Sequence, residues 1–179
     1  MRVQVILAGL FLISCPANAK FLDAKAINNA QIDPSSASKK TEGPLIVKTE
    51  ILLARAHFSP GEISGRPGEN LNKAITAYAE AQGKTANKLD RELWDKLASA
   101  SGDPVITDYT ISEADVRGPF AEEIPKKMEK MKDLPRLFYT SPKEALAEKF
   151  HMSPELLSAL NPGEKFDVAG HNMGHYKRK

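Results

Sequence analysis

Ile51-Leu52-Leu53-Ala54-Arg55-Ala56-His57-Phe58-Ser59-Pro60-Gly61-Glu62-Ile63-Ser64-Gly65-Arg66-Pro67-Gly68-Glu69-Asn70-Leu71-Asn72-Lys73-Ala74 is the stretch on which the fold of this 179-residue chain turns. Ile51, Leu52, Leu53 and Ala56, with Ile46 upstream, recur at helical spacing behind Pro44, which suits a first helical position. Ser59-Pro60-Gly61 stops that helix, and Glu62 to Gly68 is a glycine-punctuated loop. Asn70 reads as the N-cap of a second helix through Gln82, with Leu71, Ala74, Ile75 and Tyr78 on one face and Gly83 closing it. Asp90 caps a third helix carrying Leu93, Trp94 and Leu97, and Gly102-Asp103-Pro104 ends the unit. Three short helices with one apolar stripe each bury those stripes only by packing together. Pro44 to Ser101 is therefore expected to be a small three-helix bundle, with Phe58, Tyr78 and Trp94 as its anchors.

Upstream, the chain begins as an export signal. Met1-Arg2 is a minimal basic start, Val3 to Ser14 is apolar apart from Gln4 and Gly9, and Pro16 breaks the run. Ala17-Asn18-Ala19 presents small residues where a signal peptidase cuts, which predicts residues 1–19 as a signal peptide and Lys20 as the new N-terminus. The apolar run falls short of the roughly twenty residues of a membrane-spanning helix. Leu12-Ile13-Ser14-Cys15 also resembles a bacterial lipobox, so lipidation of Cys15, and with it membrane attachment, is the alternative to soluble export. Cys15 is the only cysteine, so a chain cut after Ala19 has no disulfide, thiolate metal site or cysteine nucleophile. Residues 20–43, with Asn28-Asn29, Pro34-Ser35-Ser36 and Lys39-Lys40-Thr41-Glu42, show little apolar periodicity and read as a flexible linker. The 25 basic and 23 acidic residues nearly balance, which leaves no electrostatic footprint for nucleic acid.

Downstream, residues 102–136 read as a connecting segment that includes a strand over Val105 to Ile111, a turn at Gly118-Pro119-Phe120 and at most a short helix over Lys126 to Lys132. Leu137-Phe138-Tyr139 is a second short strand. Ser141 caps a helix begun by Pro142, with Ala145, Leu146 and Phe150 inward. Ser153 caps another, begun by Pro154, with Leu156, Leu157 and Leu160 inward and Asn161-Pro162-Gly163 at its end. Phe166-Asp167-Val168 is a candidate closing strand, and residues 171–179 read as an irregular tail.

The chemistry-bearing residues are few. His171 and His175 have the spacing of two ligands on one helix face, but Gly170 and Gly174 argue against a helix, so no metal site is assigned. His57 lies at a helix end, where a cation meets the dipole favourably. Glu122-Glu123 reads as solvated surface, and Asp108 and Asp115 flank a strand and a turn without a visible partner. No catalytic residue and no cofactor is assigned. The best binding candidate is the loop from Ser59 to Asn70, where Gly61, Gly65 and Gly68 let backbone donors approach a ligand and Ser64, Arg66 and Asn70 add polar groups. The same glycines also serve simply to make the turn.

Two segments carry a family resemblance. Ile51 to Ala74, with Leu89-Asp90 and Leu93-Trp94-Asp95-Lys96-Leu97, resembles the peptidoglycan-binding-domain-1 family. Ser64 stands where that family usually has Asp, and Tyr78-Ala79 where it has Phe-Gln. Ser141 to Gly163 resembles the two helices and Asn-Pro end of a lysin-motif (LysM-like) unit over residues 137–170. Together with Tyr109-Thr110-Ile111, Asp115-Val116 and Gly118-Pro119-Phe120, this order looks like the N-terminal half of bacterial L,D-transpeptidases. The fold implied is mainly α, a three-helix peptidoglycan-binding-like bundle followed by a small α+β LysM-like unit. That unit is expected to be incomplete, missing its last strand and so less stable than the bundle.

The resemblance implies peptidoglycan as the ligand. The glycine loop then meets stem-peptide carboxylates, and Thr140, Ser141, Asn161 and Gly163 flank an N-acetylglucosamine groove, although caps and turns account for the same residues. The catalytic domain of those enzymes, with its cysteine nucleophile motif, has no counterpart here. The expected protein is an exported, non-catalytic cell-wall binder of the periplasm or cell envelope, related to a truncated L,D-transpeptidase. The alternatives are a module that docks on another envelope protein, and a fragment of an active L,D-transpeptidase. Reading the DNA beyond the Gly170 codon in all frames tests the last.

Overall fold

The computed structural model describes residues 22–32, 43–102, 104–122 and 139–176. The signal region with Cys15, the expected helix at Lys126 to Lys132, and Leu137-Phe138 lie outside them. The described chain is mainly helical with a small two-stranded antiparallel sheet.

The first helix lies where a linker was expected. Helix α1 (Ala24–Asn28) is capped by Asp23, whose side chain accepts from the Ala26 N–H at 2.6 Å. Ile27 is fully buried. The Asn28 side chain bonds a distant backbone, its Oδ1 accepting from the Val105 and Ile106 N–H groups at 2.9 Å each and its Nδ2 donating to the Ile106 carbonyl at 3.0 Å. Gln31 accepts from the Trp94 indole N–H at 2.9 Å. Five helical residues are too few to show a period, so an ordered strap over 22–32 reads as linker until its partners are known.

Three longer helices follow: α2 (Pro44–Arg55), α3 (Glu69–Ala81) and α4 (Arg91–Ser101). Pro44 opens α2, and Asp90 caps α4 by accepting from the Leu93 N–H at 2.8 Å. The cap of α3 is Gly68, not Asn70: the backbone is extended at Gly68 and Asn70 already lies in the first turn. Ile51, Leu52, Leu53, Ala79, Leu93, Trp94 and Leu97 fill the space between these helices, and Phe58 meets Tyr78 edge to face at 5.5 Å.

The second half differs from expectation at both ends. Strand β1 (Ile106–Thr110) pairs antiparallel with β2 (Asn172–Tyr176), Ile106 opposite Tyr176 and Thr110 opposite Asn172. Between them lie α5 (Glu113–Arg117), α6 (Pro142–Lys149) and α7 (Pro154–Leu160), with Ser112, Ser141 and Ser153 as caps. The tail expected to be irregular thus supplies a strand, which pairs with the strand of the expected connecting segment. Phe166-Asp167-Val168 forms turns instead, and Tyr139 stands outside any strand. Glycine and histidine are weak strand formers, so β2 is held by its surroundings. Met173 and Tyr176 are buried, and Asn161 at the end of α7 brackets Gly174, accepting from its N–H at 2.6 Å and donating to its carbonyl at 3.0 Å.

The two halves share one continuous apolar core that runs from Ile27 and α2 through Ile63 and Met152 to α7 and Tyr176. The Ile63 N–H donates to the His151 carbonyl and the Ser153 N–H to the Ile63 carbonyl, both at 2.9 Å. Arg55 ties the end of α4 to the sheet, donating to Ser101, Gly102 and Pro104 and lying 5.8 Å over the Tyr176 ring. Among the described residues no helix is long and apolar enough to cross a membrane.

Candidate functional site

The glycine loop after α2 is closed upon the chain's own carboxylate. Glu50, on α2 and 2 % exposed, accepts from the Gly65 N–H at 2.8 Å, the Ser64 N–H at 3.1 Å and the Ser64 hydroxyl at 3.3 Å. The Ser64 hydroxyl also accepts from the Arg66 N–H. The Ser64 and Gly65 backbone donors of the expected binding loop are therefore already engaged, and a Cβ added at the half-buried Gly65 would meet Val47 and Leu156. Burial pushes the Glu50 carboxyl up to about 7, ahead of the stabilising bonds from Gly65 and Ser64, and the charge of Glu62 adds to the rise. Ser59, Gly61, Arg66, Gly68 and Asn70 remain exposed; the Ser59 hydroxyl accepts from the Gly61 N–H at 3.2 Å.

The second expected set is also largely spent on the fold. Thr140 donates through its N–H and hydroxyl to Glu144 at 2.7 and 2.6 Å, and Ser141 accepts from the Glu144 N–H at 3.2 Å. Those Thr140 bonds, the side-chain one first, hold the Glu144 carboxyl below its ordinary range. The Asn161 amide donates to Leu157 and Gly174 and accepts from Gly174, which uses both of its N–H groups. Gly163 lies in an exposed turn at φ 78°.

A cleft that sequence reasoning missed lies between α5, the Gly118-Pro119-Phe120 turn and α6, with a volume of about 640 Å³. Asp115 and Lys149 line it, and the Lys149 ammonium donates to Asp115 Oδ1 and to the Tyr109 hydroxyl, both at 2.7 Å. Tyr109 in turn donates to Asp115 Oδ2, which also accepts from the Ser112 N–H and hydroxyl. Burial works against the charged form of Asp115, but the bonds from Lys149, Ser112 and Tyr109 outweigh it and hold the carboxyl well below its usual range. Burial likewise opposes the Lys149 charge and is outweighed by Asp115 and Tyr109, so its ammonium is held above its usual range. A pair displaced in these opposite directions keeps its charges across neutral pH, an arrangement that holds a polar group in place and is poorly suited to passing protons. Tyr139, 41 % exposed, and Phe120 give the cleft an aromatic wall. Asp115 stands out in the sequence beside its turn; Lys149 lies 34 residues away and carries no local signal.

The histidines serve separate contacts. His171 pairs with Glu164 at 2.5 Å, while His175 is buried, its ring 4.1 Å from that of Phe150 and 5.6 Å from that of Tyr109. Among the described residues no three His, Cys, Asp or Glu side chains gather as metal ligands. In comparisons with protein families and with curated proteins, no family and no curated protein matches this chain.

Proposed function

We propose that this chain is an exported, non-catalytic protein that binds peptidoglycan in the periplasm or cell envelope, built like the binding half of an L,D-transpeptidase. The observation that carries the reading is the order of elements. Helices α2 to α4 with their glycine loop come first, followed by β1, α6, α7 and β2, a strand–helix–helix–strand unit with α5 inserted. A helical unit followed by a smaller mixed unit is compatible with the resemblance, although the paired strands lie outside residues 137–170, and the chain carries no cysteine after Cys15 to supply a thiol nucleophile. The aromatic wall and fixed ion pair of the α5–α6 cleft offer stacking and charged bonding to a polar polymer. Cosedimentation with purified murein sacculi tests it: the exported protein pellets with the sacculi, and a protein left in the supernatant at low salt contradicts the reading.

One observation favours a second reading, a docking module for another envelope protein. Ser64, Gly65, Thr140 and Asn161 spend their polar groups inside the fold, which leaves fewer donors for a glycan. A stable hetero-complex without affinity for sacculi supports this second reading over the first.

A further inference from the structure

The joint between the two halves is built around a buried acid. Loop 59–68 leaves α2, returns to it at Glu50, and at Ile63 reaches across to His151 and Ser153 at the start of α7. Glu50 holds that loop with three hydrogen bonds, all from neutral donors, namely the Ser64 and Gly65 N–H groups and the Ser64 hydroxyl. Among the described residues it forms no ion pair.

The titratable residues on the segments around Glu50 are Lys48 and Arg55 on α2, which bond Asn28 and the end of α4, His57 after α2, Glu62 and Arg66 on the loop, His151 before the Ile63 bridge, and Glu155 on α7. Of these, Glu62 acts on Glu50 by like-charge repulsion. A buried carboxylate without a cation is costly in its charged form, and neutral amide donors offset only part of that cost.

We propose that Glu50 is a pH-sensitive latch: its protonation tightens loop 59–68 onto α2 and α7, and its ionisation loosens that joint. The direction follows from linkage. When the loop opens, Glu50 meets water and titrates near its ordinary value of 4.5, whereas in the closed joint it holds its proton to about 7. The closed state binds the proton more tightly, so closure is strongest below pH 4.5 and weakens as pH rises through 7. Over pH 5 to 8 that displacement allows the opening equilibrium to rise by up to roughly a hundredfold. The consequence is a joint that loosens on the alkaline side.

Residue-resolved amide hydrogen exchange on the intact protein at pH 5, 6, 7 and 8, corrected for the base catalysis of free amides, reads this opening. The amides of Ile63, Ser64, Gly65 and Ser153 lose protection by tens of fold, while those of Ala79 and Leu93 change little. Glu50→Gln, which cannot ionise, keeps the loop amides protected at every pH. Equal pH dependence in Glu50→Gln, or loss of protection in all amides together, overturns the proposal. Should Glu50→Gln fail to fold, the Ser64 and Gly65 amide shifts of the natural protein decide. A midpoint near 7 supports the latch, and one near 4.5 overturns it.

Discussion

Gly65 lies at φ +70°, and a Cβ added there would come within 2.8 Å of Val47 Cγ2. Gly65→Ala combines a strained backbone with a clash in the shared core and is expected to cost roughly 1–3 kcal/mol, read as a lower urea midpoint. Val47→Ala in the same background removes the clash but leaves the strain and deletes two buried methyl groups, so the double variant is expected to lose less than the two single variants added together. An unchanged midpoint in Gly65→Ala contradicts the packing described. Asp115 gives the acid side of the pH profile. Its carboxyl is held low, so its contribution to stability is present above its ordinary range near pH 4 and is lost as pH falls below it. Asp115→Asn should flatten thermal stability over that acid range; a profile as steep as that of the natural protein sinks the assignment. At this scale, residues that act locally are legible in the sequence. Asp90, Ser141 and Ser153 are identified as caps because their partners lie three residues on. Asn28, Asn161 and the Asp115–Lys149 pair act across 13 to 78 residues, and no local pattern reveals such partners. Asn70 is a near miss, since Gly68 offers the same extended backbone two residues earlier.

At the level of elements, α2, α3, α4, α6 and α7 follow from apolar spacing plus a proline or cap. The strap α1 and strand β2 do not, because each is short and is held by contacts to distant chain. The strap changes the meaning of the N-terminal region. Residues 22–32 pack onto the core through Ile27 and bond Val105, Ile106 and Trp94, so they are part of the folded body and not free linker. Strand β2 bears the greater energetic role. A chain stopped after Gly170 loses Met173 and Tyr176 from the core, leaves β1 unpaired and removes the Gly174 partners of the Asn161 amide. Limited proteolysis of that shortened protein is expected to cut within residues 104–122 well before the intact protein is cut, and equal cutting rates would show that β2 adds nothing to the second half.

For the whole molecule, the continuous core and the Ile63 bridge make the helical half and the sheet-bearing half a single packed unit, whereas the sequence reads as two modules on a connector. The helices are legible because each carries its own start and stop signals; the joint is not, because Ile63 and Gly65 look like ordinary loop residues. The candidate site shifts for the same reason. Loops rich in glycine and hydroxyls advertise ligand binding, yet here their donors complete the fold, and the exposed aromatic ring of Tyr139 beside the fixed Lys149 charge is the better place to look. The most direct test of cell-wall binding is a saturation isotherm on purified sacculi at low and near-physiological salt, comparing the natural protein with Tyr139→Ala and Lys149→Met. Saturable binding is expected that survives salt and weakens at least several-fold in both variants while their far-UV spectra stay unchanged; a natural protein that stays in solution at either salt contradicts cell-wall binding.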